Sequence, residues 1–343
     1  MYYERKDEHF VSMRRILITG GAGYIGSHTA KALAACGHQP IVLDNFSSGN
    51  RWAVRWGPLV EGSIADGDLV KKTVKRHRID SVIHFAANAY VGESIEQPRK
   101  YFQNNVSNTL AFLHALMDCG VSDVVFSSSC ATYGVPRSLP IGEEHPQVPI
   151  NPYGESKLFI EKVLEWYGSA HGIRFVALRY FNAAGADPDG EIGECHDPET
   201  HLIPLAIRAA QGGYPPLKIF GSDYETPDGT AVRDYIHVCD LAVAHVQALE
   251  YLAHGGDSTA INLGTSTGHS IRDVQRAIKT VSGRAVPAQI RERRPGDPPI
   301  LVAKADKART LLGWKPRFTQ LEEIVETAWR WHIAERHLAA TAV

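Results

Sequence analysis

The sequence predicts an α/β protein in which helices cover a doubly wound parallel sheet and a smaller C-terminal lobe follows. Three observations support this prediction. Apolar runs rich in β-branched residues alternate with helical patterns over the first half of the chain. A glycine cluster separates the first apolar run from the first helix. Beyond about residue 183, loops rich in Gly, Pro and Asp replace the alternation. Alternating strands and helices are typical of βαβ units with right-handed crossovers.

The length of the chain favours more than one structural unit. Its 343 residues exceed what one hydrophobic core usually accommodates. We expect residues 14–182 to form the sheet domain. We expect residues 183–343 to form mainly a substrate-binding lobe, with some segments returning to the sheet. Residues 1–13 are expected to be a flexible leader, in which Met13 offers a second start.

Charge and composition exclude several classes of function. The formal net charge of -2 argues against nucleic-acid binding and against a polybasic membrane surface. No apolar run approaches the roughly 20 residues that span a bilayer, and the first residues are too polar for a secretory signal. Five scattered cysteines without a CxxC are typical of a reducing cytoplasm, and the 16 histidines show no HExxH-like spacing. We therefore expect a cytoplasmic protein without a metal.

Five strands are predicted from apolar runs bounded by Gly, Asn, Asp or Ser. Each is short enough to be a buried strand of a parallel sheet. They lie at 14–20 (RRILITG), 39–45 (QPIVLDN), 80–87 (DSVIHFAA), 122–129 (SDVVFSSS) and 174–182 (RFVALRYFN).

Four helices are predicted between these strands. Asn151 and Pro152 mark the start of the longest helix, because Pro is tolerated at the first helical position. Gly120 ends the third. The helices lie at 27–37 (SHTAKALAACG), 68–78 (DLVKKTVKRHR), 108–120 (NTLAFLHALMDCG) and 153–172 (YGESKLFIEKVLEWYGSAHG).

The glycine cluster predicts a dinucleotide site. Gly20, Gly23 and Gly26 follow a strand and precede a helix, which is the context that G-x-G-x-x-G requires. The glycines allow the backbone to approach a pyrophosphate at the helix N-terminus. Asp44 ends the next strand, where an acid accepts a hydrogen bond from the adenosine ribose and favours NAD over NADP. The sheet is therefore expected to be of the Rossmann type.

Tyr153 and Lys157 stand four residues apart and share one face of the predicted helix. A phenol with a pKa near 10 is a poor base at neutral pH, and a neighbouring ammonium is expected to lower that pKa. Ser129 closes a strand at the carboxyl edge of the sheet, where it can share a proton with Tyr153. A serine hydrolase is disfavoured because the sequence lacks a G-x-S-x-G elbow.

From about residue 15 to residue 330 the chain resembles the extended short-chain dehydrogenase/reductase family and, within it, the UDP-glucose (UDP-galactose) 4-epimerases. The motifs that carry the resemblance are ILITGGAGYIGSHT, LDN, VGES, SSSCATYG, NPYGESK, RYFNAAGA, DGTAVRDYIHV and RRPGDPP. The resemblance implies that Tyr153 takes the proton of the sugar 4-hydroxyl while C4 gives hydride to a tightly bound NAD. The 4-keto sugar then turns over, and hydride returns to its opposite face.

The resemblance also implies which residues line the site. Ser129, Tyr153 and Lys157 would be the catalytic residues. The NAD site would comprise Gly20, Gly23, Tyr24, Ile25, Gly26, Asp44, Asn45, Ser63, Ile64, Phe85, Ala86, Ala87, Asn104, Lys157 and Tyr180. The UDP-sugar site would comprise Ser129, Tyr153, Asn182, His201, Leu202, Phe220, Arg233, Tyr235, Arg294, Asp297 and Leu301, with the arginines gripping the diphosphate.

Some positions separate related activities. Cys130 and Ala131 stand where dehydrating relatives carry an acid pair, so elimination of water is disfavoured. Ser63 replaces an Asp that faces the adenine, and Ala89 replaces a lysine frequent in the glucose/galactose enzymes. Leu301 occupies a position that resembles a gate for the sugar 2-substituent, so we expect poor use of N-acetylhexosamines.

Several functions stay open at this point. The AYVGES form also resembles epimerases of UDP-xylose and UDP-arabinose, and a CH₂OH difference is worth only about 1–3 kcal/mol in a pocket. A dehydrogenase that releases NADH would use the same three residues. A non-catalytic NAD-binding regulator would not need Ser129, Tyr153 and Lys157 together, and a scaffold role is least favoured.

A homodimer is expected from the helices near 104–119 and 153–171. In the family the equivalent helices pair across a two-fold axis as a four-helix bundle. The alternative is that their apolar residues pack on the sheet. These residues are Leu110, Leu113, Leu116, Leu158, Val163 and Trp166.

Overall fold

The computed structural model describes residues 13–294 and 296–341, with side chains up to residue 334. The leader predicted at residues 1–13 lies outside the described residues except for Met13. The strands are β1 Arg15–Thr19, β2 Gln39–Asp44, β3 Leu59–Glu61, β4 Ser81–His84, β5 Asp123–Ser129, β6 Arg174–Tyr180, β7 Asn182–Ala184, β8 Leu217–Phe220, β9 Val232–Arg233, β10 Tyr235–His237, β11 Thr259–Leu263, β12 His269–Ser270, β13 Ala288–Arg291 and β14 Ile300–Leu301.

Helices alternate with these strands. The last residues of the glycine loop are already helical. The first helix, α1, therefore begins three residues earlier than predicted, with Gly23 as its N-cap. A π-helical segment, Phe102–Ser107, joins α4 to α5. The helices are α1 Tyr24–Ala35, α2 Gly67–His77, α3 Val91–Glu96, α4 Pro98–Tyr101, α5 Asn108–Met117, α6 Pro152–His171, α7 Leu202–Gln211, α8 Val238–Ala253, α9 Ile271–Ser282, α10 Asp306–Leu312 and α11 Leu321–Thr341.

Seven strands form one parallel sheet in the order β11-β6-β5-β4-β1-β2-β3. This confirms the predicted doubly wound α/β fold. All five predicted strands are present, and β3 and β11 are additional members of the sheet. The strand β11 pairs in parallel with β6 although it lies in the second half of the chain. The division of the chain near residue 183 stays a prediction.

Apolar residues cover both faces of the sheet. One cluster packs α1 and α8 against it, with Leu33 and Leu241 fully buried. The other packs α2, α5 and α6, with Val70, Leu116 and Leu164 fully buried. Parallel strands covered on both faces are expected to be near-continuous apolar runs, as the sequence shows.

The remaining strands form three small sheets beyond the carboxyl edge of the large one. They pair β7 with β10, β8 with β13, and β12-β9-β14. A third apolar cluster joins α7, α9 and α11 beneath them. Among the described residues, no helix is both long and apolar enough to cross a membrane.

Candidate active site

The strand order reverses beside β1, which has β4 on one side and β2 on the other. In open α/β sheets, ligands bind outside the carboxyl ends of the strands at such a switch point. The ends of β1, β2, β4, β5 and β6 lie on this edge because the strands are parallel. The edge is therefore the candidate site.

The glycine loop forms the first part of the site. Gly20 has φ +70°, and a Cβ there would lie 2.7 Å from the backbone nitrogen of Ala86. A Cβ on Gly26 would collide with the carbonyl oxygen of Gly20. Gly23 caps α1 without a side-chain hydrogen bond, and the first turn of α1 contains no acid. The loop thus fits a pyrophosphate, whose charge the helix N-terminus favours.

Asp44 closes β2 beside this loop. Its Oδ2 accepts a hydrogen bond from the Ala22 backbone at 2.9 Å, and its Oδ1 accepts one from Phe46 at 2.8 Å. Burial raises the pKa of Asp44, and the backbone donors oppose that rise. A carboxylate oxygen can accept a second hydrogen bond. Asp44 is therefore held in position with acceptor capacity left for a ribose.

The rest of the predicted NAD shell follows β3, β4 and β6. Phe85, Ala86 and Ala87 are half-buried directly after β4, and the Phe85 N–H donates to Thr19 at 2.9 Å. Tyr180 ends β6 and is buried, with its hydroxyl hydrogen-bonded to Ser127. Other predicted members are half-buried (Tyr24, Ile25, Ser63 and Asn104), exposed (Asn45) or buried (Ile64).

Ser129, Tyr153 and Lys157 converge at the carboxyl end of β5. Ser129 is its last residue, and Tyr153 is in the first turn of α6, whose N-cap Asn151 accepts a hydrogen bond from Gly154. Lys157 donates to the Ser127 carbonyl at 2.7 Å and lies 5.8 Å from the centre of the Tyr153 ring. All three side chains are buried. The predicted catalytic group is thus brought together.

We expected the Lys157 ammonium to lower the pKa of the Tyr153 phenol. This expectation is wrong for the protein without a bound cofactor. Burial raises the pKa of Tyr153 to about 12, although a hydrogen bond with Ser129 lowers it. Burial also lowers the pKa of Lys157 to about 7, opposed by Glu161. The ammonium is directed to a backbone carbonyl, so burial dominates both groups.

A buried network beneath these residues was not predicted. Glu161 lies one turn beyond Lys157, forms an ion pair with Arg179 at 2.5 Å and accepts a hydrogen bond from Ser128. This network fastens α6 to β5 and β6. The i+4 spacing from Lys157 and the apolar surroundings of Glu161 in the sequence were the available signals.

Asn105 is a second missed residue. Its Oδ1 accepts from the Asn88 N–H at 2.8 Å, and its Nδ2 donates to the Asn88 carbonyl at 2.9 Å and to Ser156 at 3.1 Å. It thereby joins the loop after β4 to the helix that carries Tyr153. A polar side chain in the middle of a helical pattern gives no signal of this role in the sequence.

The predicted diphosphate-binding residues lie in and beside the small sheets, Arg233 on β9 and Arg294 on the loop after β13. Arg233 forms an ion pair with Asp297 at 2.5 Å, and Arg294 covers the Phe220 ring at 4.0 Å. Leu301 pairs with Arg233 across β14 and β9. The structure therefore places these five residues on neighbouring strands and loops.

Leu301 connects this group to the catalytic residues. Leu301 and Cys130 pack on one small apolar cluster that contains Phe181. Burial raises the pKa of the Cys130 thiol to about 12, and the charge of Arg233 opposes that rise. Cys130 is next to Ser129 in the chain, so the arginine side of the site adjoins the catalytic side.

Three other predicted substrate contacts, Tyr235, Leu202 and Asn182, lie in or beside β7, β10 and α7. Tyr235 is buried in the apolar cluster that joins α7, α9 and α11, and Leu202 packs against the same cluster. Asn182 pairs with Tyr235 between β7 and β10. Their substrate contacts stay predictions.

His201 caps α7 beside two carboxylates. Its Nδ1 lies 2.5 Å from Glu194 Oε1 and 3.5 Å from Glu199 Oε1. Burial alone would lower the pKa of His201, but the two carboxylates raise it to about 10. His196 also lies beside Glu194, at 3.2 Å. Sequence reasoning named His201 but missed its three neighbours.

Known proteins share this fold and these motifs. Residues 16–264 match the NAD dependent epimerase/dehydratase family. A UDP-glucose 4-epimerase of Rhizobium leguminosarum bv. trifolii is 54% identical over 317 residues, which are 92% of this chain and 97% of the relative. The crystal structure of UDP-glucose 4-epimerase from Brucella ovis in complex with NAD is 54% identical, with a TM-score of 0.91. That comparison covers 92% of this chain and 98% of the other.

A more distant structure is similar over the same span. The UDP-glucose 4-epimerase of Stenotrophomonas maltophila, with bound NAD and formylated UDP-arabinopyranose, is 38% identical with a TM-score of 0.92, covering 95% of this chain and 99% of that one. The comparisons confirm the predictions of an enzyme, of the isomerase class and of NAD as cofactor. With the glycine loop, Asp44 and the three converging residues, they show that the chain belongs to the NAD dependent epimerase/dehydratase family.

Proposed function

We propose that the protein interconverts UDP-glucose and UDP-galactose by oxidising C4 to a transient 4-keto sugar and reducing it from the opposite face. One observation carries the proposal. Ser129, Tyr153 and Lys157 are all buried together at the carboxyl end of β5, with the Lys157 ammonium 5.8 Å from the centre of the Tyr153 ring. Resemblance to UDP-glucose 4-epimerases at about half identity over most of the chain supports the choice of substrate.

The residues present fit the cofactor. Gly20 and Gly26 leave room for a pyrophosphate, and Asp44 presents acceptors to the adenosine ribose. Lys157, whose ammonium lies between the Ser127 carbonyl and the Tyr153 ring, would hold the nicotinamide ribose. When bound, NAD supplies the oxidising chemistry by accepting hydride from C4 and returning it.

The residues of the chain handle the proton. Tyr153 accepts the proton of the 4-hydroxyl and gives it back to the same oxygen after the ketone has turned over. The Ser129 hydroxyl would donate its one proton to this oxygen and accept a hydrogen bond from the phenol, and so hold the two groups together. Because burial raises the pKa of Tyr153 to about 12, the base needs a positive charge nearby to act at neutral pH. Cys130 and Ala131 supply no carboxylate for elimination of water.

The C-terminal lobe would bind the rest of the substrate. Arg233 and Arg294 are donors for a diphosphate, since guanidinium groups match phosphate oxygens in pairs. In this arrangement Asp297 holds Arg233 until the diphosphate takes over part of its hydrogen bonding. Leu301 packs near Cys130 and would limit the size of the sugar 2-substituent.

A substrate panel tests the function. Purified protein would be incubated without added NAD with UDP-glucose, UDP-galactose, UDP-xylose, UDP-arabinose and UDP-N-acetylglucosamine, and the products separated by chromatography. Interconversion of the hexose pair without release of NADH is expected. Turnover of the pentose pair alone would contradict the proposed hexose substrates and identify a UDP-pentose epimerase instead. Stoichiometric NADH production would indicate a dehydrogenase instead.

We infer a homodimer from exposed apolar residues on α4–α6. Trp166 is 74% exposed, Phe159 is 48% exposed, and Phe102, between α4 and α5, is 43% exposed. Leu113, Leu116 and Leu158 are instead buried within the chain, as in the alternative reading. Aromatic residues exposed on one pair of helices are typical of an interface.

Molar mass in solution tests the dimer. The unmodified protein should have twice the mass of one chain by light scattering, and W166E combined with F159E should have the mass of one. I290E, which charges an exposed residue of β13, is the control and should not change the mass. A monomeric parent protein would contradict the inference.

A cytoplasmic location is part of the same proposal. Its support is the five cysteines, which are scattered over the described chain and form no disulfide within it. Absence of nucleic-acid binding stays a prediction from the net charge.

A further inference from the structure

We infer that Glu194, His196, Glu199 and His201 form a binding site for one Zn²⁺ ion, held by two imidazoles and two carboxylates. The four side chains lie on the loop that precedes α7. One donor atom from each lies within 4.8 Å of the others. Mixed nitrogen and oxygen donors of this kind favour Zn²⁺ over Mg²⁺ and Ca²⁺, which prefer oxygen alone.

The distances between donors suit a tetrahedral ion. Metal–donor bonds of about 2.0–2.1 Å place the donors about 3.3 Å apart. Glu194 Oε1 lies 3.2 Å from His196 Nδ1, and His196 Nδ1 lies 3.8 Å from Glu199 Oε2. His201 Nδ1 lies 2.5 Å from Glu194 Oε1 and 3.5 Å from Oε1 of Glu199, the oxygen next to the one that would bind the ion. Small movements of these side chains would equalise the separations.

Two of the donor atoms are buried without a hydrogen-bond partner. They are Oε2 of Glu199 and Nδ1 of His196, which lies 3.2 Å from Glu194 Oε1 as an ion-pair contact but without hydrogen-bond geometry. The side chain of Glu199 is only 1% exposed, so water cannot satisfy this oxygen from the surface. Buried polar atoms are nearly always paired, and leaving one unpaired is unfavourable. An ion between the four side chains would satisfy both atoms.

Glu199 is held in place for such an ion. Its other oxygen, Oε1, accepts hydrogen bonds from the backbone N–H groups of Thr200 at 2.7 Å and His201 at 2.8 Å. Hydrogen bonds of this kind orient metal-binding carboxylates in known sites. The carboxylate is thereby fixed with Oε2 directed toward His196.

A second acidic group on the same loop shows the contrast. Asp187, Asp189 and Glu191 also lie close together. The ammonium of Lys31 lies among them, at 2.8, 3.0 and 2.8 Å from the three carboxylates. This group already has its cation, which makes it a matched control.

The proposed metal site adjoins the candidate active site. The ring of His196 lies 5.9 Å from that of Tyr90 and 6.3 Å from that of Tyr24, a predicted cofactor contact. Coordination of His201 through Nδ1 leaves Nε2 to donate a hydrogen bond to substrate. The inference replaces the sequence-based expectation of no metal, which considered spacing along the chain and not the folding of this loop.

Metal titration of the full-length protein with its NAD tests the inference. After treatment with a chelator, the protein would be titrated calorimetrically with Zn²⁺ in excess Mg²⁺. We expect one Zn²⁺ per chain, with affinity at least about tenfold weaker in H196A and E199Q. D189N, in the group that contains Lys31, should bind as the parent does. If the unmodified protein did not bind one Zn²⁺ per chain, the inference would be overturned. It would also be overturned if H196A and E199Q bound Zn²⁺ as tightly as the unmodified protein does.

X-ray absorption on the unmodified protein decides the matter even if a variant fails to fold. Circular dichroism would identify such a variant. Four nitrogen or oxygen donors that include two imidazoles are the expected shell of Zn²⁺. A sulfur donor, which Cys195 in the same loop would supply, or a shell without imidazole would overturn the proposed site.

Discussion

The charged groups at the sheet edge differ from those of the predicted C-terminal lobe, in which β9 carries Arg233. At the sheet edge, burial is the largest influence on the pKa values of both Tyr153 and Lys157. In the lobe, Arg233 is paired with Asp297 before any diphosphate binds. The first region therefore holds groups that can change protonation. The second holds a charge that can change partner.

This difference separates chemistry from recognition. Loss of a buried proton acceptor should lower the rate of turnover while the cofactor stays bound. Loss of a paired arginine should weaken substrate binding and leave turnover at saturation close to its original value. Substitutions in the two regions can therefore be compared on the same kinetic axes.

The largest effect is expected at Tyr153. Tyr153→Phe removes the proposed proton acceptor, so kcat should fall about 10²–10⁴-fold, which is the usual contribution of a general base. NAD should remain bound, because the ring still fills the same space. Steady-state rates and cofactor absorbance of the purified variant measure both quantities. Tyr167→Phe, on the same helix but hydrogen-bonded to His114, is the control. A variant with near-normal kcat would remove Tyr153 from the reaction.

The next largest effect is expected at Arg233, where substrate binding rather than turnover should change. Arg233→Gln removes the proposed charged donor to the diphosphate, so KM for the UDP-sugar should rise about 10–100-fold with little change in kcat. Arg272→Gln, at an exposed position of α9, is the matched control. A fall in kcat without a rise in KM would break the division between the two regions.

The sequence was sufficient where a functional group is fixed by its neighbours in the chain. Gly20, Asp44 and Ser129 each end or follow a strand, so a parallel sheet brings them to one edge. Tyr153 and Lys157 are one helical turn apart, and helix geometry places them together. These contacts depend on local patterns and on one rule of topology.

The sequence was insufficient where partners are distant along the chain. Glu161 meets Arg179 on another element, and Asn105 meets the loop after β4. Glu194, His196, Glu199 and His201 are close in the chain, but their convergence depends on the course of an irregular loop, which Lys31 fastens from a distant helix at Asp187. The direction of the Tyr153 pKa was also missed, because the degree of burial follows from the whole fold.

Leu301 should show a smaller effect that concerns selectivity. Leu301→Ser shortens a side chain that packs near Cys130, so space for an N-acetyl group should increase. We expect kcat/KM for UDP-N-acetylglucosamine to rise about tenfold relative to UDP-glucose, within the usual range for a pocket change of this size. Leu311→Ser, at an exposed position of α10, is the control. An unchanged ratio would place the 2-substituent elsewhere.

The smallest effect, a pH-dependent difference in stability, tests the burial of Lys157 directly. Its folded-state pKa of about 7 lies below the value of about 10.4 expected for an unfolded chain. Between these values the unfolded chain holds a proton that the folded chain has lost, so this group makes stability rise with pH. Below about pH 7 the buried ammonium destabilises the fold in full.

Lys157→Met removes this destabilisation and loses the hydrogen bond to Ser127 at every pH. The free energy of unfolding of the variant minus that of the parent should therefore be largest below about pH 7. This difference should decline toward pH 10. Denaturant titrations at several pH values in saturating NAD measure the difference, with Lys162→Met, at an exposed position of α6, as the control. A difference that is constant with pH would mean that Lys157 keeps its proton in the folded protein. The sheet edge would then hold a permanent charge, as the lobe does, and the contrast between the two regions would fail.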